Sequence, residues 1–407
     1  MKVLTVNCVY KAGSTGKIID DIARCLHGRC EFIFCYEYGE KKKSNNCYRI
    51  AGKYEFLINY IFARISGLKY STGYFSTWRL LHYIKSKTPD IVHLHCPNSN
   101  SVNIPWLLNS LKKRNIPLIV TNHAEFYYTG NCAYALNCEK FMYGCGKCDY
   151  QFDSHRKYWF DRTAYEWKCM KKAFENYAKI KLIAVSPWSL ERIKISPITK
   201  NIDSKVIRNG INTNDVFYPR RNNLRKQLNI YEDKKVILHV TSGFSNEDIS
   251  IKGGKYVIEI ARSFPQYLVI IAGSNLSKEM KSLPINIKFL GEIKNQDKLA
   301  EYYSMADLTL VTSRRETYGM VCAESLSCGT PIVGFMAGGT ESIALPQFSE
   351  FVEYGNIEAL RQVITSWIDK KEQLTEQMRK KACVEYSDNI MAEKYYEVYK
   401  ELLNKNG

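Results

Sequence analysis

The stretch SRRETYGMVCAESLSCGTPIVGFMAGGTESI, residues 313–343, sets two carboxylates eight residues apart, Glu316 and Glu324. Eight residues is about two helical turns. Gly329 can cap the end of a helix here and Pro331 stops it from continuing, which predicts a helix from about Thr317 to Cys328. The amides of Thr317, Tyr318, Gly319 and Met320 would open that helix, and a helix N-terminus attracts an anion. One carboxylate before the helix and one within it can reach hydroxyls at opposite ends of an elongated ligand with phosphates in its middle, the description of a nucleotide sugar. An ordinary helix with an acid at its start and a second Glu by chance has the same spacing. A further glycine turn, Gly338-Gly339-Thr340, precedes another helix start.

A second candidate is YKAGSTGKII, residues 10–19. A nucleoside-triphosphate loop needs Gly six residues before its Lys and Ser or Thr after it. Lys11 and Ile18 stand at those positions, so the first Gly and the metal-binding hydroxyl are both missing. Gly13, Ser14, Thr15 and Gly16 remain a loop in which backbone can approach a ligand, with a helix expected to start near Gly16.

These loops need strands to hold them. KVLTVNCV, DIVHLHC, PLIVTNH, KLIAVS, KVILHVTS, YLVIIAGS, IKFLG, DLTLVTS and PIVGF read as short buried strands, most of them separated by amphipathic segments. That alternation implies parallel sheets covered by helices. With 407 residues and nine such strands, two doubly wound domains are expected, divided near the polar, basic segment 206–223. In such sheets ligands bind beyond the carboxyl ends of the strands. Besides the loops above, those ends carry His95, Asn98, His123, and SGFSNEDISIKGG with Ser242, Gly243 and Lys252. Alternation along DIVHL points His93 into the core.

SRRETYGMVCAESLSCGTPIV resembles the Glu–seven residues–Glu signature of the GT-B retaining glycosyltransferases of family 4. AVSPW, VIRNGIN with Phe217, IKGG and KFLGEI…LAEYYSMADLTLVTS are similar to the same family, from Lys2 to about Leu345. Gly-Ser-Thr-Gly in the first loop resembles the subset that builds bacterial capsule, O-antigen and exopolysaccharide. The resemblance implies two Rossmann-like domains facing a cleft: 1–210 on the acceptor side, 211–388 binding the donor, and 389–407 as a helix returning to the first domain. Gly13–Gly16 would form the acceptor-side lip of that cleft and touch the donor.

It also implies a hexosyl transfer with retention from a UDP- or GDP-sugar to a glycan, often lipid-linked. Glu324 would hold ribose hydroxyls, Glu316 the sugar ring, and Lys252 would neutralise the departing diphosphate. Residues 317–320 would add amides, His123 would approach the sugar, and His95 and Asn98 would face the acceptor. No protein base and no divalent metal is implied. The family usually has an Arg shortly before the Lys, but SGFSNEDIS has none. Ser242 and Gly243 could supply hydrogen bonds there, and Arg208, Arg314 or Arg315 charge. A GT-B sugar-nucleotide epimerase would share this signature.

CAYALNCEKFMYGCGKC holds Cys132, Cys138, Cys145 and Cys148, a spacing compatible with a structural zinc, with reduced packing thiols or with disulfides. A net charge of +17 admits nucleic acid, an anionic membrane surface or simply a basic surface. A basic zinc-containing nucleic-acid-binding protein is the competing class, but the basic residues are dispersed and no zinc-finger His pair or RNA-binding aromatic motif occurs. Residues 54–88 interleave aromatics with Arg and Lys and can either lie on an anionic bilayer or pack on the first sheet. No apolar run approaches membrane-spanning length, and MKVLTVNCVY lacks the core and cleavage site of a signal peptide. A cytoplasmic enzyme, peripheral on the inner membrane face, is the resulting expectation.

Overall fold

The computed structural model describes residues 1–42, 44–150, 158–221, 223–275 and 283–404. The chain divides into two units, one formed by Met1–Ile207 with Met391–Gly407, the other by Arg208–Ile390. The last three residues of the expected C-terminal helix lie outside the described residues.

The first unit holds β1 (Lys2–Asn7), β2 (Glu31–Tyr36), β3 (Cys47–Arg49), β4 (Ile91–Leu94), β5 (Leu118–Asn122), β6 (Ile180–Ala184) and β7 (Ser204–Val206), in the order β3-β2-β1-β4-β5-β6-β7. Every pairing is parallel. Parallel strands are covered on both faces, so their side chains split into two buried sets. Leu4, Val6, Val92, Leu94, Leu118 and Val120 join one core with Leu107, Leu111 and Phe174. His93 and Thr121 belong to the opposite face. The helix Asp388–Asn404 hydrogen bonds to that face. Its buried Met391, Ala392, Tyr395, Val398, Tyr399 and Leu402 recur at helical spacing. Tyr399 Oη meets His93 Nδ1 at 2.9 Å and Tyr395 Oη meets Thr121 Oγ1 at 3.1 Å. Glu401 pairs with Lys181 of β6 at 2.6 Å.

The second unit holds β8 (Val236–Phe244), β9 (Leu268–Asn275), β10 (Ile287–Gly291), β11 (Leu308–Val311), β12 (Ile332–Phe335) and β13 (Ser349–Val352), in the order β10-β9-β8-β11-β12-β13. Again every pairing is parallel. Ile237, Val269, Ile271, Leu308, Leu310, Val333 and Phe335 form its core with Val257, Ile260, Leu360 and Ile364 from two helices. Two doubly wound domains, as the strand pattern implies, are therefore present.

All nine strand-like runs of the sequence are strands. Among the described residues four additional strands occur, of two kinds. β3, β7 and β13 have three or four residues and sit at sheet edges, too short for any periodic signal. EFIFCY, β2, begins on an exposed Glu31 and blends into the helix before it.

Candidate active site

The loops after β8, β11 and β12 converge through glycine. Gly253 adopts φ +64°, and a Cβ there would lie 2.1 Å from the Thr312 carbonyl oxygen. Only glycine lets the Lys252 loop pass this close to the end of β11. Thr312 Oγ1 donates to the Lys252 carbonyl at 2.9 Å, and the Arg314 amide to the Ile251 carbonyl at 2.7 Å. Further along, Glu316 and Gly338 form a parallel bridge: the Glu316 amide donates to the Ala337 carbonyl at 3.0 Å and the Gly339 amide to the Glu316 carbonyl at 2.8 Å. The Glu341 carboxylate accepts from the amides of Ala337 and Gly338 at 2.9 and 2.8 Å, fixing the glycine turn.

This scaffold brings Lys252 and Glu316 together. Lys252 Nζ lies 2.5 Å from Glu316 Oε1, both side chains partly exposed. Their 64-residue separation gave no hint of the pairing. The helix following Glu316 spans Met320–Ser327, not Thr317–Cys328. Gly319 stands before it at φ +85°, a left-handed conformation that ends any helix reaching back to Thr317. Thr317 and Tyr318 are therefore buried loop residues, and Tyr318 Oη donates to the Asn209 carbonyl at 2.6 Å. Met320 is the first helical residue. Glu324 lies in the second turn, where the buried Tyr303 hydroxyl donates to its Oε2 at 2.9 Å. Tyr303 was not marked as a site residue, although it lies in LAEYYSMADLTLVTS, which resembles the family's approach to the signature.

Ser242 is exposed near the end of β8, its carbonyl accepting from Ser274 at 2.6 Å, while the Gly243 carbonyl accepts from Thr241 Oγ1 at 3.1 Å. Among the arginines that could supply charge, Arg208 is paired with Glu385 and Arg314 stands over the Tyr354 ring.

In the first unit the glycine loop opens a helix at Gly13, three residues earlier than expected, because Lys11 and Gly13 both take left-handed conformations and turn the chain sharply. Gly13 and Ser14 are exposed, and Gly16 is buried where a Cβ would press on Lys11 backbone at 3.2 Å. Asn7, unmarked in the sequence reading, ties the region together: its Nδ2 donates to Val9 O and Thr15 Oγ1, and its Oδ1 accepts from the Cys96 amide. The buried Glu37 holds the same loop after β4 by accepting from the amides of Ser99 and Ser101 at 2.8 and 3.1 Å. Burial pushes its carboxyl up to about 7 against those hydrogen bonds. Asn98, partly exposed, sits in this loop with its amide on the Cys96 carbonyl.

His93, His95 and His123 form a ladder. The His93 and His95 ring centroids are 3.9 Å apart, and His95 Nδ1 meets His123 Nε2 at 3.1 Å. Both ring nitrogens of His93 are taken, Nδ1 by Tyr399 Oη and Nε2 by Thr121 Oγ1. Burial lowers all three imidazoles, His93 and His123 to about 3, so each is neutral at physiological pH.

The four clustered cysteines do not assemble as the zinc spacing suggested. Among the described residues no group of three or more His, Cys, Asp or Glu is gathered to hold a metal. The loop is shaped by other contacts: the Thr129 hydroxyl bonds the amide and carbonyl of Cys132, and Cys145 Sγ donates to the Thr129 carbonyl at 3.7 Å. The Trp167 indole anchors the Phe141 carbonyl at 2.8 Å.

Two parallel α/β domains, the second with its glycine loops gathered beyond the strand ends, define a GT-B glycosyltransferase fold. Residues 16–215 match the model of Glycosyltransferase Family 4, and residues 220–383 that of Glycosyl transferases group 1. The two matches together span most of the chain, one glycosyltransferase domain family for each half. Among curated relatives, N-acetyl-alpha-D-glucosaminyl L-malate synthase of Bacillus anthracis is 28% identical over 158 residues, 36% of this chain and 39% of that protein. The chain spans less than two thirds of the length of the first curated relatives it matches. Sucrose-phosphate synthase of Thermosynechococcus elongatus superposes over all of both chains with a TM-score of 0.73 at 17% identity. HepE of Anabaena, solved with UDP, superposes at 0.66 and 17% identity over 98% of this chain and all of that one.

Proposed function

We propose that the chain is a retaining transferase that moves a sugar from a UDP- or GDP-sugar to a glycan acceptor, lipid-linked, in assembly of a bacterial surface polysaccharide. The observation that carries this reading is the pairing of Lys252 with Glu316 just before the Met320–Ser327 helix, with Glu324 in the second turn of that helix, at the carboxyl ends of one sheet. Glu324, oriented by Tyr303, accepts the ribose hydroxyls. The Met320 end of the helix and Lys252 receive the diphosphate, an electrostatic contribution of several kcal/mol to the departing anion. Lys252 must then share its ammonium between Glu316 and the phosphate, which leaves Glu316 to accept from the sugar hydroxyls. The acceptor oxygen attacks the anomeric carbon on the face the diphosphate leaves. One C–O bond forms as the other breaks, and a phosphate oxygen takes the acceptor's proton. In the first unit His123 contributes a sugar contact and the partly exposed Asn98 lies on the acceptor side, whereas His95, expected there too, is fully buried behind His123 and cannot touch an acceptor. UDP is the first base to test, since HepE was solved with UDP and with UDP-glucose.

A thermal-shift panel of UDP, GDP and their sugars tests the donor. A ligand at 100 times its Kd stabilises by about 2.7 kcal/mol. No shift with any of them ends the reading. Nuclear magnetic resonance of the product's anomeric proton tests retention.

The membrane part of the proposal is supported by the helix Lys53–Ser66, in which only Ala63 is buried. Tyr54, Leu57, Ile58, Ile61, Phe62 and Ile65 are exposed, Tyr54 by 82%, and Phe75 nearby by 79%. Lys53 and Arg64 share the helix, a charge complement to anionic headgroups. Among the described residues no helix is long and apolar enough to cross a membrane. Sedimentation with phosphatidylglycerol vesicles, abolished by Ile58→Asp with Phe62→Asp, is expected; indifference to these vesicles at low salt overturns it.

A further inference from the structure

We infer that His95 is a positioning residue that fixes His123 as the tautomer protonated on Nδ1, so that His123 offers the donor sugar a hydrogen-bond donor and never a base. The inference rests on the proposed sugar contact of His123 and adds the chemistry of that contact.

The argument is an accounting of protons between neutral rings. The 3.1 Å bond between His95 Nδ1 and His123 Nε2 needs one N–H and one lone pair. If His123 donates, then His95 receives on Nδ1 and must carry its own proton on Nε2. That Nε2 is buried and meets no hydrogen-bond partner among the described residues. His93, stacked on the same ring, cannot supply one, because its Nδ1 faces Tyr399 Oη and its Nε2 faces Thr121 Oγ1. A stranded N–H in a protein interior is rarer and costlier than a stranded lone pair. The other arrangement strands only the lone pair: His95 donates from Nδ1, His123 accepts on Nε2, and its proton sits on Nδ1. Protonating either ring to evade the choice is opposed by burial, which lowers both. A donor suits a sugar hydroxyl oxygen, which has two lone pairs to offer. It is useless for deprotonating an acceptor, in keeping with a transfer in which a phosphate oxygen takes the proton.

The test is the nitrogen-15 spectrum of the full-length protein labelled at histidine, read through long-range proton couplings, with His123→Gln and His95→Leu used to assign signals. His123 should show a protonated Nδ1 and an unprotonated Nε2, and His95 an unprotonated Nε2. A protonated Nε2 on His123 overturns the inference, even if sugar transfer is confirmed. The spectrum is taken without donor, so failure of the transferase reading leaves this result standing or falling by itself. As a second readout, His95→Leu should let His123 populate both tautomers and lower kcat about tenfold. His95→Asn, whose amide nitrogen takes the place of Nδ1, should restore the single tautomer and most of the rate. A single Nδ1-protonated form in His95→Leu would show that His95 does not set it.

Discussion

The carboxyl ends of the two sheets do opposite things with charge. In the second unit the side chains are ionic: Lys252 on Glu316, and Glu324 further along the helix. They are placed by glycines that let three loops approach backbone to backbone. In the first unit the corresponding positions hold neutral imidazoles, packed against one another and braced from behind by Tyr399 and Tyr395. The contrast follows from the ligand parts each is proposed to meet. A diphosphate needs mobile compensating charge, whereas uncharged sugar hydroxyls need donors and acceptors in fixed directions.

The comparison breaks most directly at Lys252. Lys252→Ala should lower turnover by about 100- to 1000-fold, the scale of a lost transition-state donor, and weaken nucleoside diphosphate binding as well. Glu316→Gln should lower turnover by a comparable factor, yet hold or improve affinity for the free nucleoside diphosphate, because Lys252 no longer has a carboxylate to leave. Calorimetric titration beside single-turnover rates separates the two, and a matching loss of nucleotide affinity in Glu316→Gln would refute the assignment. Glu324→Ala should instead cost nucleotide and intact donor alike, about 10- to 150-fold for a hydrogen bond to a charged group.

Tyr303→Phe sharpens the same side more gently. It removes only the 2.9 Å bond to Glu324, so nucleotide affinity should fall no more than about tenfold. An unchanged Kd would mean that Glu324 holds its orientation without the tyrosine.

On the neutral side the smallest effect is read in stability against pH. His95 is lowered well below its ordinary 6.5 by burial, then by its two histidine neighbours. The unfolded chain therefore binds a proton there that the native state refuses. Stability from this group is complete above about pH 6.5 and drains away as pH falls. Glu37 and Glu166, raised to about 7 by burial, act in the opposite sense, favouring the native state as pH falls from 7 toward 4.5. Wild type alone thus gives a mixed slope, and His95→Asn isolates the histidine. Between pH 6 and 4.5 its unfolding free energy should fall less steeply, by about 1.4 kcal/mol per pH unit. Equal slopes in denaturant titrations would show that His95 is protonated in the native state.

The sequence displayed these two ends unequally. Strands buried on both faces stand out as apolar runs, and Glu316 with Glu324 stands out as one carboxylate just before a helix and one within it. Lys252 against Glu316 was invisible, since the pairing depends on Gly253 slipping past Thr312. The exact helix start was missed for a related reason: Gly319 can serve a helix interior or its boundary, and only its φ decides. His93, His95 and His123 could each be seen, and alternation put His93 inside. Their contact could not be read, because it requires β4 and β5 to lie side by side with Leu94 opposite Val120. The cysteine loop left zinc, packing thiols and disulfides open because spacing states only which thiols are near in sequence; the structure has free thiols in a loop shaped around Thr129 and Trp167.

The helix Asp388–Asn404 has a consequence for how the molecule is made. Its tyrosines finish the face of the first sheet on which His93 and Thr121 lie, yet a ribosome must deliver all of Arg208–Ile390 before it reaches them. At the usual synthesis rates that delay is roughly 10 to 40 s. Through that interval the nascent first unit displays an unfinished, partly apolar face while the second unit is free to fold as a continuous piece. The order of completion is therefore the reverse of the order of translation, and a chaperone able to shield the open face should raise the yield of native protein more than any change confined to the second unit.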